Sequence, residues 1–149
     1  DLGVAKASKI AVTSAFDMGD MQLSADELGA ISFTDLCVLS SNASVVGLTA
    51  NDTISATSLY NGNPLLVEIN VMGNLKKGDF TLAKGPALGE ASVRLQSDSF
   101  KAPLNRTELT LTSGTLTITE DSLVWTKGSF SGTMPNGNVM TGSFSFENP

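Results

Sequence analysis

The chain of 149 residues has the length of one ordinary domain, and it can bury a core without disulfides or a structural metal. A net charge of −6 disfavours nucleic-acid binding, because phosphate neutralisation needs clustered lysine and arginine. No apolar run approaches the roughly 20 residues of a membrane span. Surface polarity comes instead from 18 Ser and 15 Thr, a composition typical of strands and turns. We therefore predict one domain over residues 1–149.

Alternation of apolar and polar residues predicts strands along the whole chain. The exception is Ser24–Glu27, where the spacing of Ser and Glu matches a capping box and predicts one short helix ending at Gly29. The inward-facing positions of the predicted strands are, in chain order, Ile10, Val12, Phe16, Leu65, Val67, Ile69, Val71, Leu109, Leu111, Leu116, Ile118, Val124, Phe130, Phe144 and Phe146.

Turn signals separate these strands at short and regular intervals. Asn61–Pro64 and Pro135–Asn138 both contain Asn-Gly, the strongest short hairpin signal, and Ser113–Gly114 marks a break or bulge. Such spacing predicts an all-β fold, an antiparallel β-sandwich or flattened barrel of roughly ten strands with at most one short helix.

The residues that usually carry catalysis are scarce in this chain. Histidine is absent, and the single cysteine, Cys37, lies in an apolar run where a small buried side chain is expected. A pair of carboxylates brought together from distant strands, as in enzymes that act on glycans, stays open. We predict no catalytic residue and no cofactor, and hence a protein that is not an enzyme.

Three patterns are candidates for ligand binding, each beside a plainer alternative. Asp17 and Asp20 flank a glycine and are a candidate calcium site, or a solvated turn. Trp125 and Tyr60 are candidate stacking platforms for a glycan, although Trp125 also fits a buried strand position. The threonines between positions 110 and 119 fit a flat array for ice or a polysaccharide, or an ordinary solvent-facing strand.

Three stretches of the second half carry a family resemblance. They are residues 70–82, the segment 113–119, and the pair 128–133 and 142–144, in which Gly-Ser-Phe occurs twice. Over residues 65–146 the chain resembles a family of secreted bacterial surface lipoproteins of unknown function. The resemblance implies a β-fold outside the cytoplasm and supplies no catalytic residues.

Two functional hypotheses follow, with a glycan-binding or glycan-active module as a third. The first is a non-catalytic exported domain that binds a protein or a glycan at the cell surface. The second is a self-assembling subunit of a fibre, pilus-like filament or coat, joined by β-strand addition through Ile10–Phe16 or through Val139–Phe146. The chain begins at Asp1 instead of Met, which fits either removal of a leader or a trimmed chain, and a removed leader would indicate an extracellular or cell-surface location.

Overall fold

The computed structural model describes residues 19–33, 36–43 and 50–147, and for 36–43 and 50 it gives the course of the backbone alone. Eleven strands occur in these ranges: β1 (Gly19–Ala25), β2 (Gly29–Phe33), β3 (Leu36–Ala43), β4 (Ala50–Tyr60), β5 (Asn63–Met72), β6 (Gly78–Thr81), β7 (Ala91–Gln96), β8 (Glu108–Thr110), β9 (Ser113–Asp121), β10 (Trp125–Thr133) and β11 (Val139–Glu147). A 3₁₀ turn at Asp98–Phe100 leads into the one short helix of these ranges, α1 (Lys101–Leu104). The predicted all-β class is confirmed.

The strands form two antiparallel sheets instead of a closed barrel. One sheet has six strands in the order β2-β1-β11-β10-β9-β6, and the other has five in the order β3-β4-β5-β7-β8. The inner faces of the two sheets supply one buried core, and the predicted face of β5 is part of it, since Leu65, Val67, Ile69 and Val71 are fully buried. Alternation along each strand therefore sets which side chains enter the core.

Reciprocal pairs of glycine and phenylalanine join β10 to β11. In the register of these strands Gly128 pairs with Phe144, and Phe130 pairs with Gly142. Each ring lies over the glycine of the other strand: a Cβ at Gly142 would fall 2.3 Å from Cε2 of Phe130, and one at Gly128 would fall 2.7 Å from Cζ of Phe144. The repeated Gly-Ser-Phe sequence thus packs against itself in antiparallel register, and the predicted burial of Phe130, Phe144 and Phe146 is confirmed.

Both predicted Asn-Gly hairpin turns are confirmed. Asn61 and Gly62 have φ of 50° and 84°, the positive values that a two-residue hairpin turn requires. In the β10–β11 turn Gly137 has φ of 92°, and its N–H donates to the carbonyl of Met134 over 2.9 Å.

Two local predictions are wrong. The predicted helix at Ser24–Gly29 is instead the end of β1 and a turn, because the alternating burial of Met21, Leu23 and Ala25 outweighs a local capping signal. Val124 is 52% exposed, whereas Thr126 is fully buried. Val124 has the spacing of the inward positions Thr126, Gly128 and Phe130, but it precedes β10, which begins at Trp125, and lies in the turn where its N–H donates to the hydroxyl of Ser122.

Candidate functional site

Small polar side chains cover the outer face of the six-stranded sheet. Strand register aligns them in two rows that each cross all six strands: Ala30, Ser24, Thr141, Ser131, Thr115 and Thr81, then Ser32, Gln22, Ser143, Ser129, Thr117 and Asp79. Nine of these twelve residues carry a hydroxyl, and all are exposed except Thr117, which is half-buried. We call these two rows the hydroxyl face.

The hydroxyl face is broad and almost without charge. Six strands at about 4.8 Å spacing make it about 24 Å wide, and the rows lie about 7 Å apart along the strands. Asp79, at the β6 edge, is the one ionisable residue in the two rows, and its Oδ1 accepts a hydrogen bond from Thr117 over 2.9 Å. At the β2 edge the hydroxyl of Ser32 donates to Oε1 of Gln22 over 2.7 Å. Such a surface offers many hydrogen bonds to a neutral ligand and little attraction for a charged one.

Trp125 lies on the same outer side of the sheet, at the start of β10. It is half-buried, so the expected buried strand position is not what the structure gives. The Nζ of Lys127, two residues on, lies 5.0 Å from the centroid of the indole ring, within cation–π range. Lys127 also forms an ion pair with Glu120 at 3.8 Å. The indole therefore lies on the same side of the sheet as the hydroxyl face, with Lys127 between it and Ser129.

Tyr60, the other candidate stacking residue, serves a packing role in the structure. Its hydroxyl donates to the carbonyl of Leu28 over 3.1 Å, and its ring packs against Phe100 with the centroids 5.9 Å apart. Leu28 lies in the β1–β2 turn, whereas Trp125 lies next to Glu147, beside the opposite end of β1. The two aromatic residues are not brought together.

The threonines between positions 110 and 119 do not form one array, because the chain changes sheet within the segment. The N–H of Leu111 donates to Val93 in the five-stranded sheet, and the next N–H, of Thr112, donates to Thr133 in the six-stranded sheet. Thr115 and Thr117 belong to the hydroxyl face and Thr110 does not. The serines that complete the face were missed, although they alternate with Gly and Phe in β10 and β11, a pattern that places them on the outer side.

The structure brings two carboxylates together on the outer face of the five-stranded sheet. Nη1 of Arg94 contacts Glu68 at 2.5 Å and Nε contacts Glu108 at 2.6 Å. The hydrogen bond that Nε of Arg94 donates to Glu108, together with the charges of both carboxylates, raises the pKa of Arg94. The guanidinium between the two carboxylates holds all three groups in one ion cluster.

A third carboxylate joins two hairpin turns. Oε2 of Glu27, in the β1–β2 turn, accepts hydrogen bonds from the side-chain amides of Asn138 and Asn136, the latter over 2.7 Å. These bonds, that of Asn138 first, lower the pKa of Glu27. These hydrogen bonds hold the β10–β11 turn against the β1–β2 turn.

The remaining candidates from the sequence are placed as follows. Asp17 and the strand residues Ile10, Val12 and Phe16 lie outside the described residues, and Asp20 is exposed on β1 opposite Ser145. No group of three or more acidic or cysteine side chains within the described ranges can hold a metal ion. Strand β11, with Phe144 and Phe146, pairs with β1 and β10 of its own chain.

Two of the surface cavities formed by the described residues lie away from the hydroxyl face. The larger, of about 250 Å³, is lined by Thr57, Pro64, Leu65, Leu66, Gln96, Ser97 and Asp98. The smaller, of about 80 Å³, lies beside α1 and the β10–β11 turn and is lined by Leu104, Arg106, Leu109, Met134, Pro135 and Asn136. We call the smaller one the α1 pocket.

Comparisons with protein-family models, with curated proteins and with solved structures found no match to this chain. Within the described ranges no helix has the length and apolar character needed to cross a membrane.

Proposed function

We propose that the chain is a non-catalytic binding domain, displayed outside the cell, whose recognition surface is the hydroxyl face. The observation that carries this proposal is the pair of complete rows across six strands. A surface built only to stay in water would be expected to carry mixed charges, and these rows carry one ionisable residue among twelve.

The ligand class that suits this surface is a neutral polysaccharide. Ser, Thr and Gln side chains donate and accept hydrogen bonds, as the hydroxyls of a sugar also do. Trp125 adds an apolar ring beside the rows, against which a sugar face can stack. An extended polymer can contact several strands at once, so that individually weak contacts combine.

Affinity electrophoresis tests this proposal with gels that contain cellulose derivatives, soluble β-1,3-glucan, xylan, glycol chitin or starch. We expect at least one of these polymers to retard the native chain. The variants Thr141→Glu and Ser129→Glu, which place charge in the centre of the rows, should abolish the retardation, and Trp125→Ala should weaken it. The matched control is Thr107→Glu, at an exposed threonine outside the sheets.

Two outcomes would count against the hydroxyl face. One is a chain that migrates unchanged in every gel, and the other is retardation that Thr141→Glu and Ser129→Glu leave intact. Because all three glutamate variants replace exposed side chains, their thermal unfolding is expected to stay close to that of the native chain.

The second candidate is a structural subunit that assembles by β-strand addition. The observation in its favour is β3, which stands at the end of the five-stranded sheet among the described strands, with eight residues and no charge or proline. Natural edge strands usually carry such residues to prevent pairing with another chain. Light scattering after size exclusion should then give a multimeric mass that Ser40→Lys reduces. A monomeric mass at every concentration would reject strand addition.

A further inference from the structure

The two Asn-Gly turns have the same sequence chemistry and different surroundings. Asparagine is a chemically labile residue, and it is most labile before glycine, which has no Cβ to shield its backbone nitrogen from the asparagine side chain. Asn61–Gly62 and Asn136–Gly137 are both exposed at the ends of hairpins. The contacts of the folded chain therefore decide which of the two asparagines reacts.

In the β4–β5 turn both groups that would react are free. Neither the side-chain amide of Asn61 nor the N–H of Gly62 forms a hydrogen bond with another residue of the described ranges. No contact holds the amide carbon of Asn61 away from the nitrogen of Gly62. The side chain can rotate toward that nitrogen without breaking a bond of the fold.

In the β10–β11 turn the same groups are held. Nδ2 of Asn136 donates to Oε2 of Glu27 over 2.7 Å, and Oδ1 of Asn136 accepts from the N–H of Asn138 over 3.0 Å. The N–H of Gly137 donates to the carbonyl of Met134 over 2.9 Å. Rotation of the amide would break its bond to a carboxylate, which is a strong type of hydrogen bond.

We propose that Asn61 is a site of spontaneous covalent modification, where the folded chain forms aspartate or isoaspartate, and that Glu27 protects Asn136 from the same reaction. The nitrogen of Gly62 gives its proton to water or hydroxide and bonds to Cγ of Asn61. The Cγ–Nδ2 bond breaks, and the leaving nitrogen takes up a proton and departs as ammonia. This inference goes beyond both proposed functions, because it uses neither the hydroxyl face nor a strand edge.

Water then opens the five-membered ring in one of two ways. Breaking the bond between Cγ and the nitrogen of Gly62 gives aspartate. Breaking the bond between that nitrogen and the backbone carbonyl carbon of Asn61 gives isoaspartate, in which the backbone runs through the side chain. The whole reaction consumes one water and releases one ammonia, and nothing is oxidised or reduced.

The modified turn lies against the 3₁₀ turn at Asp98–Phe100. Oγ of Ser99 donates to the carbonyl of Tyr60 over 2.6 Å and lies 3.4 Å from the carbonyl oxygen of Asn61. Isoaspartate adds a methylene to a two-residue turn and so displaces these carbonyls from Ser99. Both products also add a negative charge near the exposed Asp98. Conversion of Asn61 therefore loosens the contact between the two turns.

Peptide mapping by mass spectrometry tests the proposal after incubation of the native chain in mildly alkaline buffer. We expect Asn61 to convert first and Asn136 to convert at least about tenfold more slowly, because a charged hydrogen bond must break before the reaction. In urea, where the fold is lost, the two sites should convert at similar rates. Equal rates in the folded chain, or the same large difference in urea, would overturn the proposal.

Two glutamate variants test the protection of Asn136. Glu27→Ala removes the acceptor of its amide and should raise conversion at Asn136 severalfold while leaving Asn61 unchanged. Glu90→Ala is the matched control, since Glu90 also accepts a hydrogen bond in a loop, from the N–H of Ala87, and it should change neither rate. An unchanged rate at Asn136 in Glu27→Ala would refute protection by Glu27, and circular dichroism should confirm the native fold of both variants.

Hydrogen exchange tests the consequence of the modification. The N–H of Phe100, which donates to Ser97 over 3.1 Å, should exchange faster in the incubated chain than in fresh chain. The variant Asn61→Gln, whose longer side chain closes the ring poorly, should show no such difference after the same incubation. Equal exchange in fresh and incubated native chain, with Asn61 converted, would show that the two turns are not coupled.

Discussion

The pairing of Phe130 with Gly142 makes a quantitative prediction for Gly142→Ala. The new Cβ would lie 2.3 Å from Cε2 and 2.4 Å from Cζ of Phe130, and 3.0 Å from Cδ2 of Leu23. Carbon atoms pack best at about 3.5–4.0 Å, so the ring must move by more than about 1 Å. The ring is 3% exposed and has no solvent to move into. Overpacking of this kind costs about 1–3 kcal/mol, which at about 2–4 °C per kcal/mol lowers Tm by roughly 2–12 °C.

Differential scanning calorimetry of four variants measures this cost. Gly85→Ala is the control, since a Cβ there meets nothing within 4 Å, and its Tm should change little. Phe130→Leu gives the alanine more room, so the loss in the double variant Gly142→Ala/Phe130→Leu should be smaller than the sum of the single losses. An unchanged Tm for Gly142→Ala, or strictly additive losses, would refute the proposed packing of ring on glycine.

Three further predictions follow from buried or bridging side chains. Phe144→Ala should lower the free energy of unfolding in urea by about 3–5 kcal/mol, because a core ring is lost; a loss below about 1 kcal/mol would contradict its burial. Glu27→Gln should lower Tm at neutral pH, because the native Glu27 is a carboxylate there and accepts a hydrogen bond from the side-chain amide of Asn138. Because the pKa of Glu27 is lowered in the folded chain, the stability that its carboxylate contributes is full above the ordinary pKa of 4.5 and is lost as the pH falls through the folded pKa. The Tm difference between the native chain and Glu27→Gln should therefore shrink in acid, and a difference that widened would contradict this role. Asp52→Ala should cost about 1–3 kcal/mol and speed hydrogen exchange at Leu75, whose N–H donates to Asp52 over 2.5 Å; unchanged exchange there would disprove the role of this buried acceptor.

The fold class could be predicted from the sequence because its signals are local. Alternation identifies the inner face of β5 without any partner, since side chains of a strand point to opposite sides whatever lies beside it. Asn61 and Gly62 tolerate positive φ, so they mark a hairpin turn in isolation. The burial of Phe144 follows from its two-residue spacing from Phe146. Each of these three features can be predicted from a few residues that are neighbours in the sequence.

Register and sheet membership were decided by the tertiary structure. The capping pattern that begins at Ser24 failed because pairing of β1 with β11 and β2 fixes an extended chain there, which no local signal reports. The rows of the hydroxyl face draw on β1, β2, β6, β9, β10 and β11, and their alignment depends on pairings between residues far apart in the sequence. The exposure of Val124 was not predictable for the same reason, since it shares the spacing of Thr126 and Phe130 and lies outside only because the pairing of β9 with β10 places it in the turn before Trp125. A sequence specifies which residues alternate, and long-range packing determines which strands they join and which side faces water.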